Sequence, residues 1–171
     1  MRKPTLISAA LVFLALALLA VWAGVAVGVD DALWFLPVFR ANAAYIDLYW
    51  DGQQLRLEPG SADYERLNQA LQTEIPRIRS YPTGAGLSEV TLEQLRSEGR
   101  LLEAHYTHPV RVHSRYHFSA TRVLYIPLSG HHARFNRVFN IGRGVPLELH
   151  SVAGIIAAAE MVAQGAGSSA P

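Results

Sequence analysis

The chain has 171 residues, half of them hydrophobic, with 15 Lys and Arg against 14 Asp and Glu. That length allows one ordinary domain plus an appendage, and a net charge of +1 argues against a general nucleic-acid binder. There is no cysteine, which excludes disulfides, thiolate-held zinc and a cysteine nucleophile together.

The run from Leu6 to Val29 carries no charge. A helix through it rises about 36 Å, enough to cross a ~30 Å hydrocarbon core with some tilt. Arg2 and Lys3 precede it and Asp30 and Asp31 follow it. The positive-inside rule then predicts a cytoplasmic stub over residues 1–5, a single transmembrane helix over 6–29, and the remainder outside the cell membrane, at the cell envelope. The competing reading is a signal peptide cut near Ala26, Val27 and Gly28. The uncleaved anchor is favoured because the apolar run is longer than an h-region needs. Ala20, Gly24 and Gly28 recur every four residues, a stripe along which two such helices could approach closely and self-associate in the bilayer. Residues 30–43 are a juxtamembrane segment in which Trp34, Phe35 and Phe39 suit either the membrane interface or a first element packed on the domain.

Over residues 44–163 the text reads as one α+β domain. Ala44 to Trp50 and Gln54 to Glu58 alternate around Asp51 and Gly52, the signal of a tight hairpin. Ser61 caps a helix over Ala62 to Ile75, with Tyr64, Leu67, Leu71 and Ile75 on one stripe and Pro76 at its end. After a loop over residues 81–86, Ser88 opens a second helix, with Leu87 and Leu92 spaced as a hydrophobic staple and Gly99 as its stop. Three strands are then expected, Leu101 to Thr107, Val110 to Phe118 and Arg122 to Leu128. Short connections at Pro109 and at Ser119 and Ala120 would make them antiparallel neighbours. A loop over Ser129 to Arg134, a strand over Arg137 to Ile141, a helix over Ser151 to Ala163 and a flexible tail over 164–171 complete the pattern. The expected whole is an antiparallel sheet with two or three helices packed on one face.

Four of the 7 histidines, His105, His108, His113 and His117, fall in one short stretch, and His131 and His132 follow. By strand alternation Val110, Val112, Tyr116 and Phe118 would face the core and Arg111, His113, Arg115 and His117 water. Glu103 and His105 would lie beside that row. From Arg100 to Arg143 there are seven arginines and one acid, Glu103, so this half is basic while the half before it is acidic. The candidate ligand-binding face is therefore Arg111, His113, Arg115, His117, Arg122, His131 and His132, presented to an anionic ligand or partner.

A metal centre is not expected. His113 and His117 would stand about 13 Å apart along a strand, with Arg115 between them repelling a cation. No cofactor is implied, and hydrolase signatures such as G-x-S-x-G and H-E-x-x-H are absent. Ser129, His131 and Asp51 make a catalytic set only on paper. The function expected is a membrane-anchored extracytoplasmic binding, sensing or assembly module. The alternative is an exported hydrolase or metal-dependent enzyme built on the same histidines, which convergence of three of them on one point would favour.

Overall fold

The computed structural model describes residues 6–36, 38–80, 86–116, 118–140 and 146–167. Helix α1 runs over Leu6–Val29, and none of its side chains is buried against the rest of the chain. With a mean hydropathy of 2.7 it is long and apolar enough to cross a membrane, and it is the one such helix among the described residues.

The hairpin of β1 (Tyr45–Trp50) and β2 (Gln53–Leu57) closes through Asp51 and Gly52, at φ +49° and +84°. Both central residues sit in the left-handed region that a primed turn demands, and the Asp-Gly pair tolerates it. Helix α2 (Ala62–Glu74) starts where the Ser61 hydroxyl accepts the Tyr64 amide at 3.2 Å. Strand β3 (Ile78–Ser80) precedes α3 (Glu89–Ser97), which Ser88 caps by accepting the Thr91 amide at 3.1 Å. Then follow β4 (Arg100–Val110), β5 (Thr121–Pro127), the single turn α4 (Gly130–Arg134), β6 (Arg137–Asn140), β7 (Leu147–Leu149) and α5 (Ala153–Gly167). The strands form one seven-stranded sheet in the order β2-β1-β4-β5-β6-β7-β3, and every neighbouring pair is antiparallel.

The two sheet faces have different jobs. Ile46 and Leu48 on β1, Leu102 and Ala104 on β4, and Leu124 and Ile126 on β5 point to the main core, where they meet Leu67 and Leu71 of α2 and Ile155 and Ala159 of α5. Each fully buried Leu or Ile there is worth roughly 1.5–3 kcal/mol relative to exposure. The alternate residues, Leu101 on β4, Tyr125 on β5 and Phe139 on β6, point the other way and pack with Leu92 and Leu95 of α3. Helices therefore cover both faces, not one as expected. The stripe of α3 is too short to rival the main core, and Leu92 is its one buried side chain.

The largest departure concerns residues 110–118. Val110 ends β4, residues 111–116 and 118 form no strand, and His117 lies outside the described residues. β4 continues through Pro109 to Val110, and its pairing with β5 shifts register between His105 and Val110. Proline lacks the N–H a ladder needs, so it is tolerated at this irregularity rather than forcing a turn. In the connection to β5 the Ser114 hydroxyl accepts the Tyr116 amide at 3.2 Å and donates to the Tyr116 carbonyl at 2.9 Å. Alternation in burial survives without a ladder, since Val112, Ser114 and Phe118 are buried while Arg115 is exposed. Strands β3 and β7, at three residues each, are too short to show alternation and were not expected. The stretch expected as a loop over Ser129 to Arg134 contains α4, and α5 runs to Gly167, past the expected end at Ala163.

Candidate functional site

Two sites draw on charged residues, and the first is the junction where α1 meets the domain. The end of α1 is closed by backbone bonds from the Asp31 amide to the Ala26 carbonyl at 3.0 Å and from the Asp30 amide to the Val27 carbonyl at 3.4 Å. This is a Schellman closure with Asp30 at φ +55°, a place where glycine is usual. Two carboxylates at a helix C-terminus oppose the helix dipole, so they call for cations. Arg111 donates to the Asp30 carboxylate at 3.0 Å. The His113 Nδ1 lies 3.0 Å from both oxygens of the buried Asp31, whose Oδ1 also accepts the Leu33 amide at 2.9 Å. The Trp22 indole donates to the Ala32 carbonyl at 3.0 Å, tying the chain back along α1.

The aromatics that follow α1 divide. Phe39 is buried in the main core and meets Tyr106 edge-on at 6.0 Å, whereas Phe35 stays half-exposed with Trp34 edge-on at 5.8 Å. Leu33, Leu36 and Val38, with Arg40, Val110 and Arg111, line a groove of about 490 Å³ beside the junction.

The predicted basic face is thereby split. Arg111 and His113 are turned onto Asp30 and Asp31, the two residues after α1, and the Arg115 guanidinium lies 5.0 Å over the Tyr116 ring. Arg122 is exposed near the start of β5. His131 and His132 sit on α4, where His131 meets Phe135 at 4.8 Å and His132 meets Phe139 at 5.2 Å. Burial, then the neighbouring Arg137 and His131, hold His132 below the usual histidine range. His117 lies outside the described residues. Among the described residues no three histidines converge on one point. The paper triad does not form a relay: the Ser129 hydroxyl accepts the Arg100 amide at 3.0 Å, and the Arg100 guanidinium grips Asp51 at 2.9 and 3.0 Å.

The second site was not foreseen. On the sheet face shared with α3, Asp47 of β1 stands opposite Glu103 of β4, and both carboxylates are buried. Arg56, opposite Asp47 on β2, holds it bidentately with both bonds at 2.8 Å. Arg96 of α3 donates to Glu103 Oε1 at 2.7 Å. His105 Nε2 reaches towards both acids, 3.4 Å from Glu103 Oε2 and 3.6 Å from Asp47 Oδ2, while its ring stacks on Tyr45 at 4.3 Å. Burial alone would raise both acids. For Asp47 the hydrogen bonds from Arg56 and Gln54 outweigh it, and for Glu103 the neighbouring His105 and Arg96 do so, leaving both carboxyls below their ordinary range. Burial and then Glu103 push the Tyr125 hydroxyl up to about 12.

Asp47, Glu103 and His105 offer ligand atoms that all lie within 4.8 Å of one another, the donor types and spacing a divalent cation needs. Both carboxylates already have a guanidinium, so the set is charge-balanced as it stands. A cation entering would have to displace Arg56 from Asp47 or leave excess positive charge in a buried place. The signal was present in the sequence, as acids at alternate positions within Ile46-Asp47-Leu48 and Leu102-Glu103-Ala104. Comparison with protein-family models, with curated proteins and with solved structures finds no match to this chain.

Proposed function

We propose that the chain is a single-pass, membrane-anchored module whose α+β domain works on the outer side of the cell membrane in binding, sensing or assembly at the cell envelope. The observation that carries this reading is the double clamp of Asp30 on Arg111 and Asp31 on His113. It joins the last turn of an apolar helix directly to the domain, so the domain is held at the helix end and not on a free tether. Charge supports it as well. The two acids that follow α1 are each paired with a side chain of the folded domain, which gives the domain a reason to stay docked wherever the helix is embedded.

The test is membrane fractionation of the full chain. Retention in the membrane pellet through alkaline carbonate, an intact mass that includes α1, and cleavage by protease added from the outer side are the expected results. A mature mass beginning after Gly28, or release into the soluble fraction, overturns the anchored reading. Protection of the domain from outside protease overturns the orientation.

A further inference from the structure

We propose that the groove beside the clamp seats the phosphate headgroup of an anionic phospholipid in the leaflet where α1 ends; this inference rests on the anchored reading. The groove, of about 490 Å³, is amphipathic, with Leu33, Leu36, Val38 and Val110 lining it together with Arg40 and Arg111. Its position follows from the bond between Arg111 and Asp30, the residue next to the last of α1. An apolar helix that ends in a membrane brings the groove to the depth of the headgroups.

Exposure sets this place apart from the remaining surface. Outside α1, seven large hydrophobic side chains among the described residues are exposed, and four of them, Leu33, Phe35, Leu36 and Val38, fall within six consecutive positions. A cluster of that kind left in water is unfavourable, and acyl chains at the membrane interface would cover it. Trp34 and Phe35 line an adjoining cleft of about 230 Å³ with His113 and Arg115, the arrangement of an interfacial aromatic belt beside a cation.

Charge selects the headgroup. Arg40 is exposed and has no ion-pair partner among the described residues. Arg111 spends one Nη on Asp30, and its other N–H groups remain able to donate. Arg115 stacks on Tyr116 and meets no carboxylate among the described residues. The two acids of this corner, Asp30 and Asp31, are both engaged in the clamp. Guanidiniums that flank an apolar slot match a phosphodiester carrying acyl chains, since the fork of N–H groups grips two phosphate oxygens while the slot takes the chain ends. A free phosphate would use only the guanidiniums and leave the apolar lip wet.

The experiment uses the full chain in detergent micelles, titrated separately with phosphatidylglycerol, phosphatidylcholine and inorganic phosphate, with bound species counted by native mass spectrometry. Phosphatidylglycerol should bind in preference to phosphatidylcholine. Arg40→Gln should weaken that binding about fivefold, the scale of one interfacial cation, while Arg66→Gln on α2 leaves it unchanged. Arg40 is exposed and makes no ion pair among the described residues, so its replacement carries little folding risk. Equal uptake of the two lipids, an unaffected Arg40→Gln variant, or binding of inorganic phosphate as tight as that of the lipid overturns the headgroup inference while carbonate-resistant anchoring still stands. Release of the wild-type chain by alkaline carbonate overturns the anchored reading and this inference with it.

Discussion

Asp47 and Glu103 face each other across β1 and β4 as two buried carboxylates in direct register, each held by its own arginine. Like charges directly opposite on adjacent strands repel, and burial removes the water that would screen them. Arg56 and Arg96 make the arrangement tolerable. They arrive from opposite sides, one from the edge strand and one from α3, so the row ties β2, β1, β4 and α3 together.

Acid sensitivity follows from this row. Both carboxyls lie below their ordinary values of 3.8 and 4.5 in the folded chain. A depressed folded value means that the unfolded chain binds protons first, so the contribution is complete above those ordinary values and is lost as pH falls through the folded ones. Thermal melts of the full chain in detergent should show a shallow loss once pH falls below 6.5, where His132 protonates more readily in the unfolded chain, and a steeper fall below about pH 5 that belongs to the acid row. Glu103→Gln should lower stability at neutral pH by about 2–3 kcal/mol, because Arg96 loses its 2.7 Å charge-assisted bond and keeps only Glu93 at 3.8 Å, and should flatten the acid limb. An acid limb as steep as wild type in that variant would remove the row from the explanation.

The clamp at the end of α1 should respond to substitution of Asp31 more than of Asp30. Asp31 is buried and accepts from both His113 and Leu33, whereas Asp30 is exposed and strained at φ +55°. Asp31→Ala should loosen the junction by about 1–2 kcal/mol, read as faster proteolysis within residues 30–40. Asp30→Gly should be close to neutral, since relief of the left-handed backbone offsets the loss of a surface pair.

Gly154 tests the contact between α2 and α5. A Cβ built there would lie 2.8 Å from Glu74 Oε1. In the wild-type background Gly154→Ala should be near neutral, with a helix-propensity gain of about 1 kcal/mol spent on displacing the Glu74 side chain. With Glu74→Ala present, the same change should stabilise by about 1 kcal/mol. A double-mutant cycle by chemical denaturation checks the change of outcome, and simple additivity would show that the close approach has no energetic weight.

Two tyrosines of the main core should give opposite results on loss of their hydroxyls. Tyr106 is buried, its hydroxyl has no hydrogen-bond partner among the described residues, and burial raises its ionisation well above the ordinary value. Tyr106→Phe removes a desolvated polar group and should be neutral or stabilising by up to about 1 kcal/mol. Tyr64 donates to the Ala43 carbonyl in the same region, so Tyr64→Phe should cost about 1 kcal/mol. Melting of the two variants side by side decides it.

Local signals in the sequence were strong where they depended on near neighbours. The uncharged run of α1, the Asp51-Gly52 turn and the caps at Ser61 and Ser88 each rest on contacts within a few residues, and all are present in the fold. The α+β class and the antiparallel sheet followed from the same kind of signal. Short elements were illegible for the same reason, since β3 exists through pairing with β7, and β7 through pairing with β3 and β6, and not through any pattern of their own. Pro109 misled because a local rule against proline in strands was applied where a register shift accommodates it.

Glu103 and His105 were recognised as sharing a polar face, but strand order assigned their company. Alternation along one strand says which residues share a side; it cannot say that β1, distant in sequence, supplies Asp47 beside them. Likewise Arg111 and His113 read as a solvent-facing row, and the fold turns them onto Asp30 and Asp31, some eighty positions earlier. The sequence by itself determined the apolar helix, the local caps and turns and the two-faced alternation, because those depend on interactions of short range along the chain. Tertiary structure alone decided which charges meet, because pairing across strands and at the helix end depends on topology, and burial then makes the pairings of Asp31, Asp47 and Glu103 obligatory.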